Sequence, residues 1–251
     1  MNIVKLGGSV ITDKSRYKKL NRNVIDRLIL EIANAKKEII LVHGGGSFGH
    51  TLAKEGNIGH GTVDNTDLTR SIVSRISYDM VELNLFIGNM MVKHGLNPFA
   101  IAPHSFIVQK EGSVKAINIA MIKKVLDKGL IPVIYGDVVI DTKWGYSIIS
   151  GDDIIYRLSE KIKPEKVIFV SDVDGVLDKN KKVISMLSSI NTKNIASMKK
   201  KIDVTGSIFK KIEVMKKISG NGINVMFING KVRNRLYCAL TGRDVVCTTS
   251  P

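Results

Sequence analysis

The chain has 251 residues, of which 44% are hydrophobic and 6% aromatic, and its formal net charge at pH 7 is +15. This hydrophobic fraction is enough for a core, which excludes an intrinsically disordered chain, and the length suits one large domain or two small ones. No stretch approaches the roughly 20 apolar residues that a membrane-spanning helix needs. The N-terminal apolar run, broken by Gly7 and Gly8, is too short for a signal peptide.

The positive charge comes mainly from lysine pairs and triplets spread along the chain. A nucleic-acid-binding protein more often concentrates such charge on one face and interleaves aromatic residues, so that function is the weaker alternative. A basic protein also attracts small polyanions. The two cysteines, Cys238 and Cys247, lack metal-ligand spacing, and we expect them to be reduced thiols in a cytoplasmic protein.

The first predicted strand covers residues 3–6 and is interrupted at once by Gly7-Gly8-Ser9. Lys5 precedes this turn and Lys14 follows it, without P-loop or dinucleotide-binding spacing. An ordinary tight turn with two surface lysines is the alternative. A helix is expected over residues 21–37, because apolar residues recur at helical spacing at Val24, Leu28, Ile32 and Ala35.

The second predicted strand, residues 39–42, leads into the sequence His43-Gly44-Gly45-Gly46-Ser47-Phe48-Gly49-His50. Three consecutive glycines let the backbone approach another group closely, because no Cβ atom intervenes. Successive N–H groups can then line a concavity for an oxyanion. We interpret this loop as a phosphate-binding turn, followed by a segment with helical potential.

The longest periodic segment, residues 65–93, predicts a helix with an apolar stripe at Ile72, Ile76, Met80, Leu83, Ile87 and Met90. Val73, Val81 and Leu85 form a second apolar side of this helix, which must also be buried. Either a subunit partner or an apolar ligand could bury it. A simple core helix is the alternative.

Strands and helices alternate through the rest of the chain, with small hairpins between them. This order predicts an α/β fold with an open, mainly parallel central sheet and helices on both faces. We expect further strands at 97–102, 131–135, 138–141, 146–149, 167–170, 225–228 and 245–247, a hairpin between 107 and 116, and helices at 119–127, 150–162, from 207 and at 233–240. The whole chain, 1–251, is expected to be a single domain with an N-terminal lobe of about 1–162 and a C-terminal lobe of about 163–251.

Two further turns carry acidic residues beside glycine. Ser150-Gly151-Asp152-Asp153 begins a predicted helix, and its aspartates also suit the helix dipole. Ser171-Asp172-Val173-Asp174-Gly175 follows a predicted parallel strand, where open α/β sheets bind ligands. A polar turn, with Asp bonding its own backbone, is the alternative.

Together and in this order, the motifs resemble those of the amino acid kinase superfamily. They are Lys5-Leu6-Gly7-Gly8-Ser9, His43-Gly44-Gly45-Gly46-Ser47, Ser150-Gly151-Asp152, Ser171-Asp172-Val173-Asp174-Gly175-Val176, and Val204-Thr205-Gly206 followed by Lys211. Ser47-Phe48-Gly49-His50 and the block 132–153 are most similar to the isopentenyl phosphate kinase family. Its members phosphorylate isopentenyl phosphate with ATP and Mg²⁺ in isoprenoid biosynthesis, usually as homodimers in archaea. One departure is Ser207, where the family usually has a second glycine.

The resemblance implies a role for each matching residue. Lys5, Lys14 and Lys211 would neutralise the transferring phosphoryl group, His50 would donate a hydrogen bond to the acceptor phosphate, and Asp152 would orient the lysines. ATP would contact Lys5, Gly7, Gly8, Ser9, Gly46, Asp172, Asp174, Gly175, Gly206, Ser207 and Lys211. The acceptor would contact Gly45, His50, Gly136, Asp137 and Gly151, with Ile76 and Met80 as walls for its tail. Mg²⁺ would be held by the ATP phosphates, since the sequence shows no carboxylate cage and no dedicated metal site is expected.

The chemistry favours the same reading. A phosphate acceptor is largely a dianion at neutral pH, since its second pKa is about 6, so it needs charge compensation and not a general base. In-line phosphoryl transfer depends mostly on positioning and charge stabilisation. A superfamily kinase with a carboxylate or nucleoside monophosphate acceptor remains an alternative, since a carboxylate also needs no base.

Overall fold

The computed structural model describes residues 1–13, 15–59, 61, 64–178, 180, 182–190 and 207–250. Within these ranges the strands are β1 (Asn2–Leu6), β2 (Ile39–His43), β3 (Pro98–Ala100), β4 (Ile107–Lys110), β5 (Ser113–Ile117), β6 (Ile131–Tyr135), β7 (Asp137–Asp141), β8 (Gly145–Ile149), β9 (Lys166–Ser171), β10 (Asn224–Asn229) and β11 (Cys247–Thr249). The helices are α1 (Gly8–Ile11), α2 (Arg22–Ala35), α3 (His50–Glu55), α4 (Asp67–Lys93), α5 (Ala120–Asp127), α6 (Gly151–Ile162), α7 (Ser207–Gly220) and α8 (Arg235–Thr241).

Seven strands form the central sheet, in the order β11-β10-β9-β1-β2-β6-β3. All neighbouring pairs are parallel except β10 with β11. β1 lies between β2 and β9, and every residue of β1 is buried. The predicted open, mainly parallel sheet is therefore confirmed.

Helices cover both faces of this sheet. α2, α4 and α8 pack on one face through residues such as Leu28, Leu83 and Leu236. α5, α6 and α7 pack on the other through residues such as Ile122, Leu158 and Met215. Successive strand residues point to opposite faces, so each strand contributes to both layers of the core.

The hairpins that the sequence predicts as separate units combine into a second sheet, in the order β5-β4-β7-β8. Asp141 joins their two turns, because its carboxylate accepts hydrogen bonds from the N–H groups of Glu111, Gly112, Lys143 and Trp144 at 2.8–3.0 Å. Burial alone would raise the pKa of Asp141, but these four bonds lower it to about 2. The second sheet thus depends on contacts between distant segments.

Two C-terminal predictions are misplaced by about two residues. The closing strand is Cys247–Thr249, not 245–247, because Thr248 Oγ1 bonds the N–H of Val176 and the carbonyl of Ile184. α8 begins at Arg235, because Asn234 before it has a left-handed φ of 64°. Among the described residues, no helix is both long and apolar enough to cross a membrane.

Candidate active site

The candidate site lies at the carboxyl ends of β1 and β2. In the central sheet, the chain passes from β1 to β2 on one side, whereas β9 and β10 lie on the other side of β1. Open α/β sheets bind ligands in the crevice that such a reversal of strand order leaves at the carboxyl ends. The turns after β1, β2 and β9 all lie at this edge.

The two glycine turns after β1 and β2 are in backbone contact. A Cβ atom built on Gly8 would lie 2.4 Å from the nitrogen of Gly46, and one built on Gly44 would lie 2.9 Å from the nitrogen of Gly8. The N–H of Gly44 donates to the carbonyl of Leu6 at 3.0 Å. The two turns therefore face each other across a distance that only glycine allows.

A pocket of about 460 Å³ opens beside these turns, within the size range of small-ligand sites. It brings together eleven of the predicted site residues and both predicted tail walls. They are Lys5, Gly7, Gly8, Ser9, Gly45, His50, Gly136, Asp137, Gly151, Asp152 and Lys211, with Ile76 and Met80. Residues from most of the chain's length thus share one cavity.

The lysine of β1 forms a buried ion pair with the first turn of α6. Lys5 Nζ lies 2.5 Å from Asp152 Oδ1, and the two side chains are only 8% and 14% exposed. Burial alone would raise the pKa of Asp152, but the charges of Lys5 and Lys211 and the hydrogen bond from Lys5 hold it below its ordinary value. Asp152 therefore favours its ionised form, and its carboxylate is paired with Lys5.

α6 and α7 bring the remaining charges to this edge. Ser150 caps α6, since its Oγ accepts from the N–H of Asp153 at 3.1 Å, as the sequence predicts. The Asp153 carboxylate accepts from Lys210 at 2.8 Å. Lys210 and Lys211 both line the pocket, and Lys211 Nζ also lies 5.4 Å from the ring centre of Phe227. Three lysines from opposite ends of the chain, Lys5 in β1 and Lys210 and Lys211 in α7, therefore line one cavity.

Among the predicted ATP ligands in the described part of the chain, Asp172, Asp174, Gly46 and Gly175 lie outside the pocket lining. Asp172 borders it, since its carboxylate accepts from Ser9 Oγ at 2.8 Å. Asp174 is bonded to Asn229 at 2.9 Å and to Arg235 at 2.6 Å.

The other two are glycines, and at both positions close packing explains why a side chain is not tolerated. Gly46 has a φ of 52°, and a Cβ atom there would lie 2.0 Å from Thr12 Oγ1. A Cβ atom on Gly175 would lie 2.7 Å from Thr248 Oγ1. Of the remaining predictions, Lys14 and Gly206 lie outside the described residues, and Ser207 is the first residue of α7.

The segment that follows position 14 is attached to the middle of α4. The buried carboxylate of Asp79 accepts hydrogen bonds from the hydroxyl of Tyr17, from Lys18 Nζ at 3.1 Å and from Arg75 Nε at 3.1 Å. Asp79 lies next to Met80 in the sequence, and Met80 lines the pocket. The position of residues 15–19 is thus set by the same helix that forms the pocket wall.

Sequence reasoning missed His104, whose Nδ1 lies 2.8 Å from Oδ2 of the pocket residue Asp137. The histidine lies in a short 3₁₀ turn, Pro103–Ser105, 33 residues before its partner. No local motif marks it, because the contact exists only once β3, β4 and β7 are assembled.

The lining has two chemical regions. One is formed by glycine backbone, lysines and His50, which suits phosphate groups. The other is formed by apolar side chains of α3, α4 and β8, namely Ala53, Ile76, Met80 and Ile148. No group of three or more His, Cys, Asp or Glu residues in the described part of the chain is arranged to hold a metal ion. The arrangement can bind two phosphates and one apolar substituent.

Comparisons with known proteins agree with this geometry. A model described as the amino acid kinase family matches residues 1–229. Isopentenyl phosphate kinase from Methanothermobacter thermautotrophicus is 33% identical, with 98% of this chain and 97% of that protein covered. The enzyme from Methanocaldococcus jannaschii is 36% identical, with 96% and 95% covered. A solved isopentenyl phosphate kinase structure superposes with a TM-score of 0.88 at 30% identity, and both chains are covered completely. The chain therefore belongs to the amino acid kinase family.

Proposed function

We propose that this protein transfers the γ-phosphoryl group of ATP to isopentenyl phosphate, giving ADP and isopentenyl diphosphate for isoprenoid biosynthesis in the cytoplasm. The observation that carries the proposal is the two-part pocket. Its glycine and lysine region suits two phosphates, and its apolar region, with Ile76, Met80 and Ile148, suits a short hydrocarbon tail. The similarity to isopentenyl phosphate kinases points to the same acceptor.

The apolar wall distinguishes this acceptor from its rivals. An acetylated amino acid or a nucleoside monophosphate carries polar groups beyond the reacting oxygen, and burying them without hydrogen-bond partners costs about 1–3 kcal/mol each. Apart from His50, the described pocket-lining residues of α3, α4 and β8 are Ala53, Ile76, Met80, Ile148 and Ile149, whose side chains offer no such partner. A five-carbon isoprenoid needs none.

We assign each charged residue a role in binding or in stabilising charge. Lys5 and Lys211 compensate the charge of the transferring phosphoryl group, Asp152 fixes Lys5, and His50 donates to the acceptor phosphate. The acceptor oxygen is already ionised at neutral pH, so no residue needs to remove a proton. The reaction then rests on positioning and electrostatic stabilisation.

Lys14 is the remaining proposed catalytic cation, and it would act directly on the transferring group. Gly7, Gly8 and Ser9 would hold the β- and γ-phosphates, with Gly206 and Ser207 on the nucleotide side. The tight contact between the glycine turns, which a Cβ atom would disrupt, fits a backbone cradle for phosphate. Mg²⁺ fits as a companion of the ATP phosphates, where it would neutralise charge.

The proposal is tested by measuring ADP release with five acceptors in parallel: isopentenyl phosphate, acetylglutamate, glutamate, carbamate and UMP. We expect ATP- and Mg²⁺-dependent turnover with isopentenyl phosphate only, with isopentenyl diphosphate identified by ³¹P NMR. A reaction without acceptor corrects for ATP hydrolysis. Turnover with only a carboxylate or UMP would overturn the acceptor and leave the fold assignment intact.

We further propose a homodimer that uses the outer face of α4. Tyr78, Val81, Leu85 and Val92 follow one stripe of this helix and are 41–74% exposed. Light scattering of the purified protein is expected to give twice the chain mass, and Leu85→Lys to shift it toward the monomer. A monomer at all concentrations would contradict the proposal.

A further inference from the structure

The carboxylate of Asp137 lies beside the pocket, and each of its two oxygens has a partner within the protein. Its side chain is completely buried. Oδ1 accepts from the N–H of Val138 at 2.8 Å, and Oδ2 lies 2.8 Å from His104 Nδ1. Asp137 lines the pocket, and its contact with the acceptor stays a prediction; each of its carboxylate oxygens already has a protein partner.

A carboxylate at this position creates an electrostatic problem. The pocket is proposed to hold an acceptor that is itself a dianion, and the buried location weakens the screening by water. An isolated charge on Asp137 would repel that acceptor. A compensating positive charge must come from a group that reaches the carboxylate directly.

His104 is that group. Burial raises the pKa of Asp137 even though the histidine opposes the change. The hydrogen bond to Asp137 raises the pKa of His104. Both shifts favour the form in which the pair holds one proton, and in that form a carboxylate with an imidazolium has the same net charge, zero, as a carboxylic acid with an imidazole. The imidazole is 42% exposed, so it can exchange its proton with water.

The same contact fixes the backbone at the acceptor end of the pocket. Asp137 follows Gly136, whose N–H donates to the carbonyl of His43 at 3.0 Å, directly before the glycine turn of β2. A Cβ atom on Gly136 would lie 3.2 Å from the nitrogen of Gly151. Holding Asp137 in place thus holds a junction between two predicted substrate-binding turns.

We propose that His104 is a positioning residue for the acceptor: by pairing with Asp137 it cancels the charge of that carboxylate and fixes the Gly136 turn, so that an anionic acceptor can occupy the pocket. This inference rests on the proposed function only in requiring that the acceptor be an anion.

The test compares His104→Gln, Asp137→Asn and the double variant, with initial rates at varied acceptor and varied ATP. Glutamine keeps a hydrogen bond but cannot carry the charge, so we expect the KM for isopentenyl phosphate to rise about tenfold, with the KM for ATP changed less than about twofold. In the double variant the negative charge is also gone, and the acceptor KM should return toward the wild-type value. A purely structural role predicts the opposite, namely that the double variant is no better than His104→Gln.

His94→Gln is the matched control, because His94 also pairs with an aspartate, Asp26 at 3.0 Å, but at the end of α4 and outside the pocket lining. Its kinetics should equal those of the wild type. An unchanged acceptor KM in His104→Gln, equal changes in both KM values, or no recovery in the double variant would each overturn the inference.

If His104→Gln does not fold, Asp137→Asn by itself tests the inference. The inference requires that the acceptor KM of Asp137→Asn be no higher than that of the wild type. Wild-type turnover in the five-acceptor panel judges the proposed function separately. Should another anionic acceptor be the true one, the same variants are compared with that acceptor.

Discussion

Replacing Gly8 by alanine tests the contact between the two glycine turns. The backbone of Gly8 does not have a positive φ, so alanine is allowed conformationally, and the effect is steric. The new methyl group would lie 2.4 Å from the nitrogen and 2.7 Å from the Cα atom of Gly46, whereas ordinary contacts begin at 3.4 Å. Both neighbours are backbone atoms, so the turns must separate by about 1 Å.

A displacement of about 1 Å at reacting groups costs roughly 100-fold in rate, which corresponds to about 2.7 kcal/mol of transition-state stabilisation. We therefore expect Gly8→Ala to lower kcat about 100-fold in the ADP-release assay, measured at a temperature where the variant is folded, since the same clash should also lower the free energy of unfolding by about 1–3 kcal/mol. Gly220→Ala is the control, because a Cβ atom there meets nothing within 4 Å. A Gly8→Ala enzyme with nearly normal kcat would show that the contact between the turns does not set the geometry of the reaction.

Four other changes have defined outcomes. Lys14→Ala should lower kcat by about 1,000-fold with little change in melting temperature, whereas Lys19→Ala in the same segment should not, and equal effects on kcat would remove Lys14 from the site. His50→Ala should raise the KM of the acceptor more than that of ATP. A change in the KM of ATP alone would show that His50 does not bind the acceptor. Asp152→Asn leaves its lysine partner buried and unpaired, so denaturant titration should show a loss of about 3 kcal/mol, and an unchanged free energy of unfolding would contradict that pairing. The pKa of Asp141 in the fold is about 2, below its ordinary 3.8 despite burial. Its contribution to the stability of the fold is therefore present above pH 3.8 and lost as the pH falls through 2. Asp141→Asn should lower the melting temperature at pH 7, by a difference that shrinks between pH 4 and pH 2.

Much of the central sheet was predictable because its signals are local. A strand such as β1 is a short apolar run ended by glycine, and α4 shows a sustained helical period over 27 residues. That the glycine turns would lie together was also predictable, because a parallel sheet places the carboxyl ends of its strands at one edge. The structure of such residues is set mainly by their immediate neighbours in the sequence.

Features that depend on contacts between distant segments were not predictable. Nothing near Asp141 indicates that its carboxylate joins two hairpin turns, and nothing near His104 indicates that it reaches Asp137. The displaced strand β11 has the same cause, because Thr248 is held by Val176, 72 residues earlier. Local propensity is overridden wherever such a distant partner fixes the backbone.

The helix α4 has three surfaces with different surroundings. One surface bears Met80 against the ligand cavity, a second bears Asp79 beneath the loop that contains Tyr17, and a third leaves Tyr78 and Leu85 to the outside. Because these residues belong to one helix, a shift of that helix would move all three surfaces together. In the proposed homodimer the subunit contact and the pocket wall would lie on the same helix, so substitutions on the outer surface should be judged by the acceptors they admit as well as by the assemblies they break.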